Sequence, residues 1–415
     1  MIPQKVSSPA NKTMLKVCLG LLAFLFYVLV AEMAMQLSDL YLNRKYGQPN
    51  AETFLHEYDP IRGWKNKADS TAYFVVKTDR IRSHVSINAK GLRGPDYDYA
   101  KPKGVKRVLL LGDSMIAGFE VSEDQTVAQQ LEKLLAKETS WQVINGGVRG
   151  YGTDQAYLFL MYEGFRYQPD IIIYVFADND LENNVTVHVR GKTYSKSYFT
   201  VGANGELHLA GIPTPAKNDP NDRTRMAHPV VQKYFDELDS ANENGSGKLK
   251  PVLWLRNVKK FLFEHSKVYR FATKQLKQIA PVRELLFRLG ISHVRASSPR
   301  PAEVLEAEWY LMEHLLVNME KFSQSIYAHF AVFEVVNGIE ESRPAPELEN
   351  ISKKHNIPLI HSYEVFTREA LMKKRGPLRW KDKIHWTTQG HALAASAIYN
   401  FLKSRGWLKA AKVET

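Results

Sequence analysis

Short apolar runs alternate with helical patterns in the second quarter of the chain. The runs lie at 107–111 (RVLLL), 141–144 and 171–176 (IIIYVF), and turn residues bound each of them. Between them, apolar residues recur at helical spacing over 127–135 and 154–165. Short, largely apolar runs of this length are typical of strands buried on both faces of a parallel sheet. The order strand, helix, strand, helix, strand therefore predicts right-handed crossovers and an α/β fold.

The alternation of predicted strands and helices is interrupted from about 185 to 325 and resumes afterwards. The interrupting stretch combines polar, loop-like segments with helical patterns, and it predicts a mostly helical insertion or cap. Its helical patterns lie at 230–238, 252–263, 268–289 and 302–322. Two further strands are predicted at 330–336 and 357–360, and a final helix is predicted over 388–402.

A lead-in region over 37–104 precedes the first predicted strand of the sheet. It is rich in turn residues, such as Asp59-Pro60 and Arg93-Gly94-Pro95. Two short strands are predicted within it, at 72–76 and 84–87. None of its residues indicates a catalytic role, so the candidate functional residues lie in the α/β part of the chain.

An apolar segment near the N-terminus indicates a membrane helix. Val17–Ala31 carries no charge, and extension to 14–36 gives the roughly 20 residues that a spanning helix prefers. The alternative is a cleaved signal peptide, which wants small residues two positions apart at its end. Ala31 and Ala34 are three positions apart. The sequence therefore favours an uncleaved transmembrane signal anchor over 14–36, preceded by a short tail over 1–13.

Charges around this segment indicate its orientation in the membrane. Lys5, Lys12 and Lys16 precede the apolar run and favour a cytoplasmic N-terminus. Arg44 and Lys45 follow closely and weaken this asymmetry, but a long domain translocates largely regardless of its own charge. We therefore expect a single-pass protein whose large domain lies on the extracytoplasmic side.

The composition is that of a globular protein, with 44% hydrophobic and 24% charged residues. The 415 residues suffice for one large domain or two ordinary ones. The net charge of +12 fits plain solubility, because Lys and Arg are scattered, but it also fits an acidic polymer or an anionic membrane as partner. No zinc-finger spacing or RNP-type signature indicates nucleic acid. The single cysteine, Cys18, excludes an internal disulfide and a multi-cysteine zinc site.

Four short segments carry candidate chemistry, and the first is Gly112-Asp113-Ser114-Met115, directly after a predicted strand. Functional groups collect at the carboxyl ends of strands in parallel sheets. A serine at the start of a helix also meets backbone N–H groups that can hold an oxyanion. For this segment alone, an ordinary helix N-cap at Asp113 or Ser114 is the simpler interpretation.

The second and third segments follow the next two strands. Asn145–Gly152 is rich in glycine, which permits close backbone approach and positive φ. One of its N–H groups is a candidate oxyanion donor, and a plain loop is the alternative. In Ala177-Asp178-Asn179-Asp180, the side-chain amide of Asn179 is a candidate donor to the same oxyanion. The alternative there is a turn, which Asn and Asp suit well.

The fourth segment is Asp382-Lys383-Ile384-His385, just ahead of the last helix. A serine hydroxyl is a weak nucleophile and needs a base. Histidine is the usual base, and a carboxylate fixes its tautomer and orientation. Asp382 and His385 present that pair on one turn, although a surface turn is the alternative. His391 is a competing base, but no Asp or Glu stands three residues before it, and we interpret it as helix packing.

Together the four segments resemble the SGNH (GDSL-type) hydrolase superfamily, whose blocks are built around Ser, Gly, Asn and His in that chain order. Ser114 matches the Ser block and Gly150 best matches the oxyanion glycine. Asn179 matches the Asn block, and Asp382 with His385 matches the Asp-x-x-His block. Three of the blocks fall at consecutive strand ends, and the fourth holds the base that the first requires.

The resemblance has gaps and departures. It covers about 105–180 and 326–405 and does not explain the stretch between them. Met115 stands where Leu is common, and Ala177 replaces the glycine of Gly-x-Asn-Asp. No Gly-x-Ser-x-Gly elbow is present, which argues against the α/β-hydrolase fold. The lead-in resembles that of envelope-associated bacterial members at Asp59-Pro60, Gly63-Trp64 and Asn88-Ala89-Lys90-Gly91-Leu92-Arg93.

The resemblance implies a flavodoxin-like three-layer sandwich with a parallel central sheet over 105–410, the SGNH hydrolase fold, with the helical insertion at about 185–325. It implies a bacterial inner membrane protein whose domain faces the periplasm or the exterior. It also implies a serine esterase without metal or organic cofactor. Ser114, Asp382 and His385 would form the catalytic triad, and the N–H groups of Ser114 and Gly150 with the Asn179 amide would form the oxyanion hole.

The substrates that the resemblance implies are small acyl groups on carbohydrates, with lipids as a further class. A basic envelope domain fits an acylated, acidic polysaccharide. Two other functions stand beside ester hydrolysis. One is O-acyl transfer from the same acyl-enzyme to an extracytoplasmic polysaccharide. The other is a non-enzymatic, membrane-tethered binding protein on this fold, because function resides in sites and not in folds.

Overall fold

The computed structural model describes most of the chain, as residues 9–46, 54–76, 79, 81–138, 140–189, 192–216, 228–244, 261–262, 265–276, 300–335, 345–363, 365–367, 378–380 and 384–408. The residues group into two compact units. The first unit comprises 1–47 and 235–299, and the second comprises 48–234 and 300–415.

The described strands and helices are numbered in the order in which they occur along the chain. The strands are β1 (His56–Asp59), β2 (Gly63–Asn66), β3 (Ser70–Val76), β4 (Ile81–Ile87), β5 (Lys106–Leu111), β6 (Trp141–Asn145), β7 (Ile171–Phe176), β8 (Tyr198–Val201), β9 (Leu207–Ala210), β10 (His329–Glu334) and β11 (Leu359–His361). The helices are α1 (Pro9–Tyr46), α2 (Ser114–Ala117), α3 (Val127–Leu135), α4 (Thr153–Tyr162), α5 (Asn179–Val185), α6 (Pro229–Asn244), α7 (Lys267–Leu276), α8 (Ala302–Ser325), α9 (Pro346–His355) and α10 (Thr388–Ser404).

Five parallel strands form the central sheet of the second unit. They lie side by side in the order β6-β5-β7-β10-β11. Numbered along the chain, this is the order 2-1-3-4-5 of flavodoxin-like, doubly wound folds. The α/β class and the parallel sheet predicted from the apolar runs are therefore confirmed. β7, the most apolar run, is buried along its whole length.

Helices cover both faces of the sheet. On one face α3 packs against α10, and their apolar residues join Val108 and Leu110 of β5 in one core. On the other face α8 contacts α4, α5 and β10, and the rings of Phe176 and Trp309 lie 5.8 Å apart. Successive residues of each strand thus face opposite helical layers, which explains why the strands read as continuous apolar runs.

The stretch between β7 and β10 contains more than the helices that its pattern predicts. β8 and β9 form an antiparallel hairpin, which the sequence did not predict. α8 corresponds to the pattern at 302–322 and lies in a helical layer of the sandwich. Most of the pattern at 252–263, and that at 268–289 beyond residue 276, lie outside the described residues.

The lead-in forms two antiparallel hairpins, β1–β2 and β3–β4. The strands predicted at 72–76 and 84–87 fall within β3 and β4. Val85 and Ile87 of β4 join Ala117 and Phe119 in a small core, and the indole Nε1 of Trp64 donates to the backbone carbonyl of Arg149 at 3.1 Å. The lead-in therefore supports two of the segments that carry candidate chemistry.

The first unit contains the apolar N-terminal helix. Lys16–Ser38 of α1, 23 residues, is long and apolar enough to cross a membrane, and a signal sequence near an N-terminus meets the same description. α1 contacts α7 through the carboxylate of Glu32, which accepts hydrogen bonds from Ser266 Oγ at 2.8 Å and from the backbone N–H groups of Lys267 and Val268 at 2.8 and 3.0 Å.

Candidate active site

Three of the four candidate segments meet at one edge of the sheet. Asn145 ends β6, Ser114 follows β5 and Asn179 follows β7, and these three strands are neighbours. Because the strands are parallel, their carboxyl ends share an edge. The three segments, which are far apart in sequence, therefore lie close together at the carboxyl end of β5, the middle one of these three strands.

Asp113 supplies the cap of the short helix α2. Its Oδ1 accepts a hydrogen bond from the backbone N–H of Met115 at 2.9 Å, so the N-cap expected on this segment is present. Ser114 is the first helical residue, and its half-buried hydroxyl is not needed for capping. α2 ends after one turn because Gly118 adopts a left-handed conformation with φ 61°.

The hydroxyl of Ser114 and the imidazole of His385 are in hydrogen-bond contact. Ser114 Oγ lies 2.9 Å from His385 Nε2, across 271 residues of sequence. A serine O–H donates to Nε2 when that nitrogen carries the lone pair, and the neutral ring then holds its proton on Nδ1. This is the arrangement in which a histidine can take up the serine proton.

The turn ahead of α10 fixes the position of His385. The backbone N–H of Trp380 donates to the carbonyl of His385 at 2.9 Å, and a β-bridge joins Arg379 to Trp386. The indole of Trp386 is buried against the ring of Phe366, with centroids 5.7 Å apart. His385 is thus tied to the core by its neighbour in sequence. Asp382 lies outside the described residues, so its place beside His385 stays a prediction.

The glycine-rich segment runs alongside the Ser114 turn. Asn145 Nδ2 donates to the carbonyl of Ile116 at 2.9 Å, and the N–H of Val148 donates to the carbonyl of Gly112 at 3.2 Å. A Cβ on Gly147 would lie 2.5 Å from the backbone nitrogen of Ala117, so only glycine permits this approach.

Gly150 continues this segment with φ 80°, and a side chain there would collide with Lys192. The left-handed conformation favours glycine at this position, whereas the end of the flexible Lys192 side chain could move aside. The segment is therefore more than a plain loop, because its backbone is pressed against the turn that carries Ser114.

Asn179 reaches the Ser114 turn from the end of β7. Its Nδ2 donates to Asp113 Oδ2 at 3.2 Å, and its side chain is exposed at the start of α5. The next residue, Asp180, has a structural part. Its buried Oδ2 accepts from the hydroxyl of Tyr174 at 2.6 Å and from the N–H of Ala177 at 2.9 Å. Burial, with the Asp113 carboxylate as a second cause, raises the pKa of Asp180 well above its usual range.

Glu120 and Arg149 are neighbours of His385 that the sequence analysis did not single out. Glu120 Oε1 lies 3.6 Å from His385 Nε2 and accepts a hydrogen bond from Arg149 Nη1 at 2.7 Å. Both residues are buried, with exposed fractions of 4% and 9%. Glu120 is six positions after Ser114, and its approach to His385 depends on the fold, so no local signal in the sequence indicates it.

Arg93 of the lead-in holds the loop that carries Glu120. Its buried guanidinium donates to the carbonyls of Ala117 at 3.0 Å and Val121 at 2.6 Å, and also to that of Gly118. Burial lowers the pKa of Arg93 to about 10, which still leaves the side chain charged at neutral pH. The lead-in therefore contributes to the site, although no chemistry was expected from it.

His391 lies inside the protein next to the site. It is buried to 1% exposure and makes an edge contact with the ring of Trp386, with centroids 5.7 Å apart. Burial, together with the nearby charges of Arg93 and His385, lowers the pKa of His391 to about 3. The interpretation of His391 as helix packing is confirmed, and His385 is the histidine in contact with Ser114.

Acidic and histidine side chains elsewhere do not cluster into a metal site in the part of the chain that the structure describes. No group of three or more His, Cys, Asp or Glu residues there has an arrangement that could hold a metal ion.

Comparison of the sequence with protein-family models and with curated proteins finds no match. Among solved structures, the chain is similar to the psychrotrophic esterase EstA from Pseudoalteromonas sp., with 13% identity, a TM-score of 0.36 and coverage of 73% of this chain and 98% of that one. It is similar to the acetyl xylan esterase AlAXEase, with 11% identity, a TM-score of 0.36 and coverage of 71% and 99%. It is also similar to TesA, with 11% identity, a TM-score of 0.33 and coverage of 72% and 99%.

Proposed function

We propose that the protein is a serine esterase of the SGNH type, with Ser114 as nucleophile and His385 as general base. The observation that carries the proposal is the 2.9 Å contact between Ser114 Oγ and His385 Nε2 at the carboxyl end of β5. A serine needs such a base to attack an acyl carbon. The proposed third member of the triad is Asp382, which is expected to bind Nδ1 of His385 and to stabilise the imidazolium.

Acylation begins when Ser114 Oγ attacks the carbonyl carbon of the ester and His385 Nε2 takes the hydroxyl proton. The tetrahedral intermediate carries a negative oxygen, which the N–H groups of Ser114 and Gly150 and the amide of Asn179 are proposed to bind. The intermediate collapses as the C–O bond to the alcohol breaks. His385 gives its proton to the departing alcohol, and the acyl group remains on Ser114.

The proposed location is a membrane, with α1 retained as a single-pass anchor. The carboxylate of Glu32 lies within the apolar stretch, and it accepts hydrogen bonds from the hydroxyl of Ser266, just ahead of α7, and from two backbone N–H groups of α7. A carboxylate in an apolar segment is costly unless it has such partners. The contact supports a helix that stays with the folded protein, because a cleaved signal peptide would take Glu32 away from α7.

The proposed substrates follow from the location. The lysines before the apolar run of α1 favour a cytoplasmic N-terminus, so the α/β domain is proposed to face the extracytoplasmic side of a bacterial inner membrane. Esters within its reach are small acyl groups on envelope carbohydrates or lipids. The net charge of +12 suits an anionic polymer or membrane surface.

Labelling with a fluorophosphonate tests the nucleophile. The full chain in detergent micelles is treated with the reagent, and the modified residue is located by peptide mass spectrometry. We expect labelling at Ser114 that the variant Ser114→Ala abolishes. Ser122→Ala is the matched control, because Ser122 is an exposed serine eight residues further along, and it should label like the wild type.

A second variant separates the base from the nucleophile. His385→Ala leaves the hydroxyl of Ser114 in place but removes its proton acceptor, and we expect labelling to slow by ~10²–10⁴-fold, the usual contribution of a general base. Labelling on a serine other than Ser114, or labelling of Ser114 that is independent of His385, would overturn the proposed mechanism. If the Ser114→Ala variant lacks esterase activity but keeps full biological activity, a binding function would be favoured instead.

A further inference from the structure

The carboxylate of Glu120 lies beside the one imidazole atom that every proton in the proposed reaction passes through. Glu120 Oε1 is 3.6 Å from His385 Nε2, and the same Nε2 is 2.9 Å from Ser114 Oγ. The orienting carboxylate of a triad is expected on the other ring nitrogen, Nδ1. A carboxylate on the Nε2 side therefore has a different part in the reaction, and this argument rests on the proposed function.

Glu120 is held in place by several groups. Its Oε1 accepts from Arg149 Nη1 at 2.7 Å, and the Arg149 guanidinium lies over the ring of Phe74 at 4.7 Å. The loop that carries Glu120 is fixed by Arg93 through the carbonyls of Ala117 and Val121. A carboxylate fixed in this way can act as a directed acceptor, since little rotamer freedom is left to lose.

The two halves of ester hydrolysis make different demands at Nε2. In acylation, Nε2 takes the proton of Ser114. In deacylation, an incoming nucleophile donates its proton to Nε2, and it must therefore come within hydrogen-bond distance of that atom. Glu120 Oε1, at 3.6 Å from Nε2, is then close enough to touch the same nucleophile.

Water and an alcohol differ in what they offer at this position. A water molecule has two O–H groups, so that one can donate to Nε2 and the other to Glu120. A simple alcohol has one O–H, and its remaining lone pair would face the negative carboxylate. A buried carboxylate that is left facing a lone pair loses a hydrogen bond, which costs several-fold or more in binding.

We infer that Glu120 positions the hydrolytic water by accepting its second O–H, so that the acyl-enzyme reacts with water in preference to a simple alcohol. The water oxygen attacks the acyl carbon of the Ser114 ester, and one water proton moves to Nε2 of His385. The C–O bond to Ser114 Oγ then breaks, and Oγ takes that proton back. The second proton stays on the product carboxylic acid, hydrogen-bonded to Glu120, until the acid leaves and ionises in solvent.

This inference selects hydrolysis over acyl transfer, the two reactions that the sequence leaves open. It also distinguishes Glu120 from a residue that only neutralises Arg149. A structural partner of Arg149 would affect folding and both halves of the reaction together. A water-positioning residue affects the second half, and it changes the ratio of the products.

The test compares the wild type with Glu120→Ala and Glu120→Gln as full chains in detergent, with p-nitrophenyl acetate as substrate and methanol as competing acceptor. For Glu120→Ala we expect deacylation to slow by ~10–10²-fold, a typical effect of lost positioning, with acylation largely unchanged. Rapid-mixing experiments should then show a burst of p-nitrophenol. The ratio of methyl acetate to acetate should rise at least several-fold. Glu120→Gln keeps an oxygen acceptor, so its deacylation rate and product ratio should lie between those of the wild type and Glu120→Ala.

The control is Asp124→Asn, which changes an exposed carboxylate on the same loop and should behave like the wild type. The rate of fluorophosphonate labelling reports the Ser114–His385 pair alone, so a folded Glu120→Ala protein should label at a near-normal rate. An unchanged product ratio with normal labelling would overturn the inference and leave the proposed esterase intact. A lower ratio of methyl acetate to acetate in Glu120→Ala than in the wild type would also overturn the inference, because Glu120 would then be binding the alcohol. Absence of labelling in the wild type would instead refute the proposed function.

Discussion

Asn179 Nδ2 donates a hydrogen bond to Asp113 Oδ2 at 3.2 Å. The same carboxylate oxygen lies 3.4 Å from Ser114 Oγ, and the other oxygen of Asp113 caps α2 at Met115. Asp113 therefore links the turn of the candidate nucleophile to the residue at the end of β7. One N–H of the Asn179 amide is engaged with Asp113, and the amide has a second N–H for an oxyanion.

Replacement of Asn179 tests its part in the proposed oxyanion hole. Asn179→Ala removes the amide that is proposed to bind the negative oxygen, together with its hydrogen bond to Asp113. We expect kcat for p-nitrophenyl acetate to fall by ~10²–10³-fold. KM should change little, because the ground-state carbonyl makes weaker demands on the donor. Steady-state kinetics measures both. Asn183→Ala on the same helix is the control, and an Asn179→Ala enzyme with wild-type kcat would remove Asn179 from the mechanism.

A buried ion pair in the second unit makes a separate prediction. The side chains of Lys196 and Asp154 are in contact and have no solvent exposure. Burial lowers the pKa of Lys196 and raises the pKa of Asp154, and each charge opposes the shift of the other. Lys196→Met strands the carboxylate, and we expect the free energy of unfolding to fall by ~3–5 kcal/mol.

The double variant Lys196→Met with Asp154→Leu removes both charges and should recover most of that loss, because replacing a buried pair by apolar residues is often close to neutral. Urea unfolding followed by circular dichroism measures the stability of the wild type, the two single variants Lys196→Met and Asp154→Leu, and the double variant. Lys403→Met is the control, since Lys403 is 65% exposed in its pair with Glu138 and should cost less than about 1 kcal/mol. Equal losses in Lys196→Met and in the control would contradict the prediction.

His391 makes the stability of the second unit depend on pH. Burial holds its pKa at about 3 in the folded protein, against about 6.5 in an unfolded chain. Between these values the unfolded state binds a proton that the folded state does not. The resulting stability is complete above the unfolded pKa and is lost as the pH falls towards 3, by about 2 kcal/mol between pH 7.5 and 5.

The variant His391→Leu should lose this pH dependence. Nδ1 of His391 has no hydrogen-bond partner among the described residues, so an apolar side chain of similar size breaks no hydrogen bond at that atom. Urea unfolding at pH 7.5 and at pH 5 gives the free energy of unfolding that each protein loses between the two pH values. We expect this loss to be smaller in the variant than in the wild type by about 2 kcal/mol. Parallel pH profiles for the two proteins would show that His391 takes up its proton without cost.

The sequence was sufficient for the sheet because its signal is local. Strands β5, β6 and β7 are mostly buried, and each contains a short apolar run that is visible in the sequence. The turns that follow are then placed at one edge by the parallel topology alone. For this reason, the sequence alone predicts that Ser114 and Asn179 lie close together. His385 followed from the chemical need of a serine for a base.

Other features depend on tertiary contacts and left no local pattern. Glu120 approaches His385 because α2 stops after one turn at Gly118 and Arg93 draws the following loop inward. The hairpin β8–β9 escaped prediction because its strands have four residues each and are mostly half-buried. Neither length nor alternation distinguishes such segments from a loop.

The contact between Glu32 and α7 gives a prediction for the first unit. Glu32→Leu makes the apolar segment of α1 more apolar, so α1 should insert into a membrane at least as well as before. The backbone N–H groups of Lys267 and Val268 lose their acceptor, as does the hydroxyl of Ser266. Because each hydrogen bond to a charged group is worth ~1.5–3 kcal/mol, we expect trypsin to cut within 267–276 at least ~10-fold faster in the variant, since local opening becomes more frequent.

Membrane vesicles that contain the full chain are the material for this experiment, and mass spectrometry identifies the cleavage sites. Met33→Leu is the control, because Met33 is exposed on the same helix at 59% and takes no part in the hydrogen bonds to α7. Glu32→Gln keeps one oxygen acceptor and should be cut at an intermediate rate. A mature protein that begins after residue 32 would contradict the retained anchor at once. Equal cleavage rates in all variants would show that α7 is held by something other than Glu32.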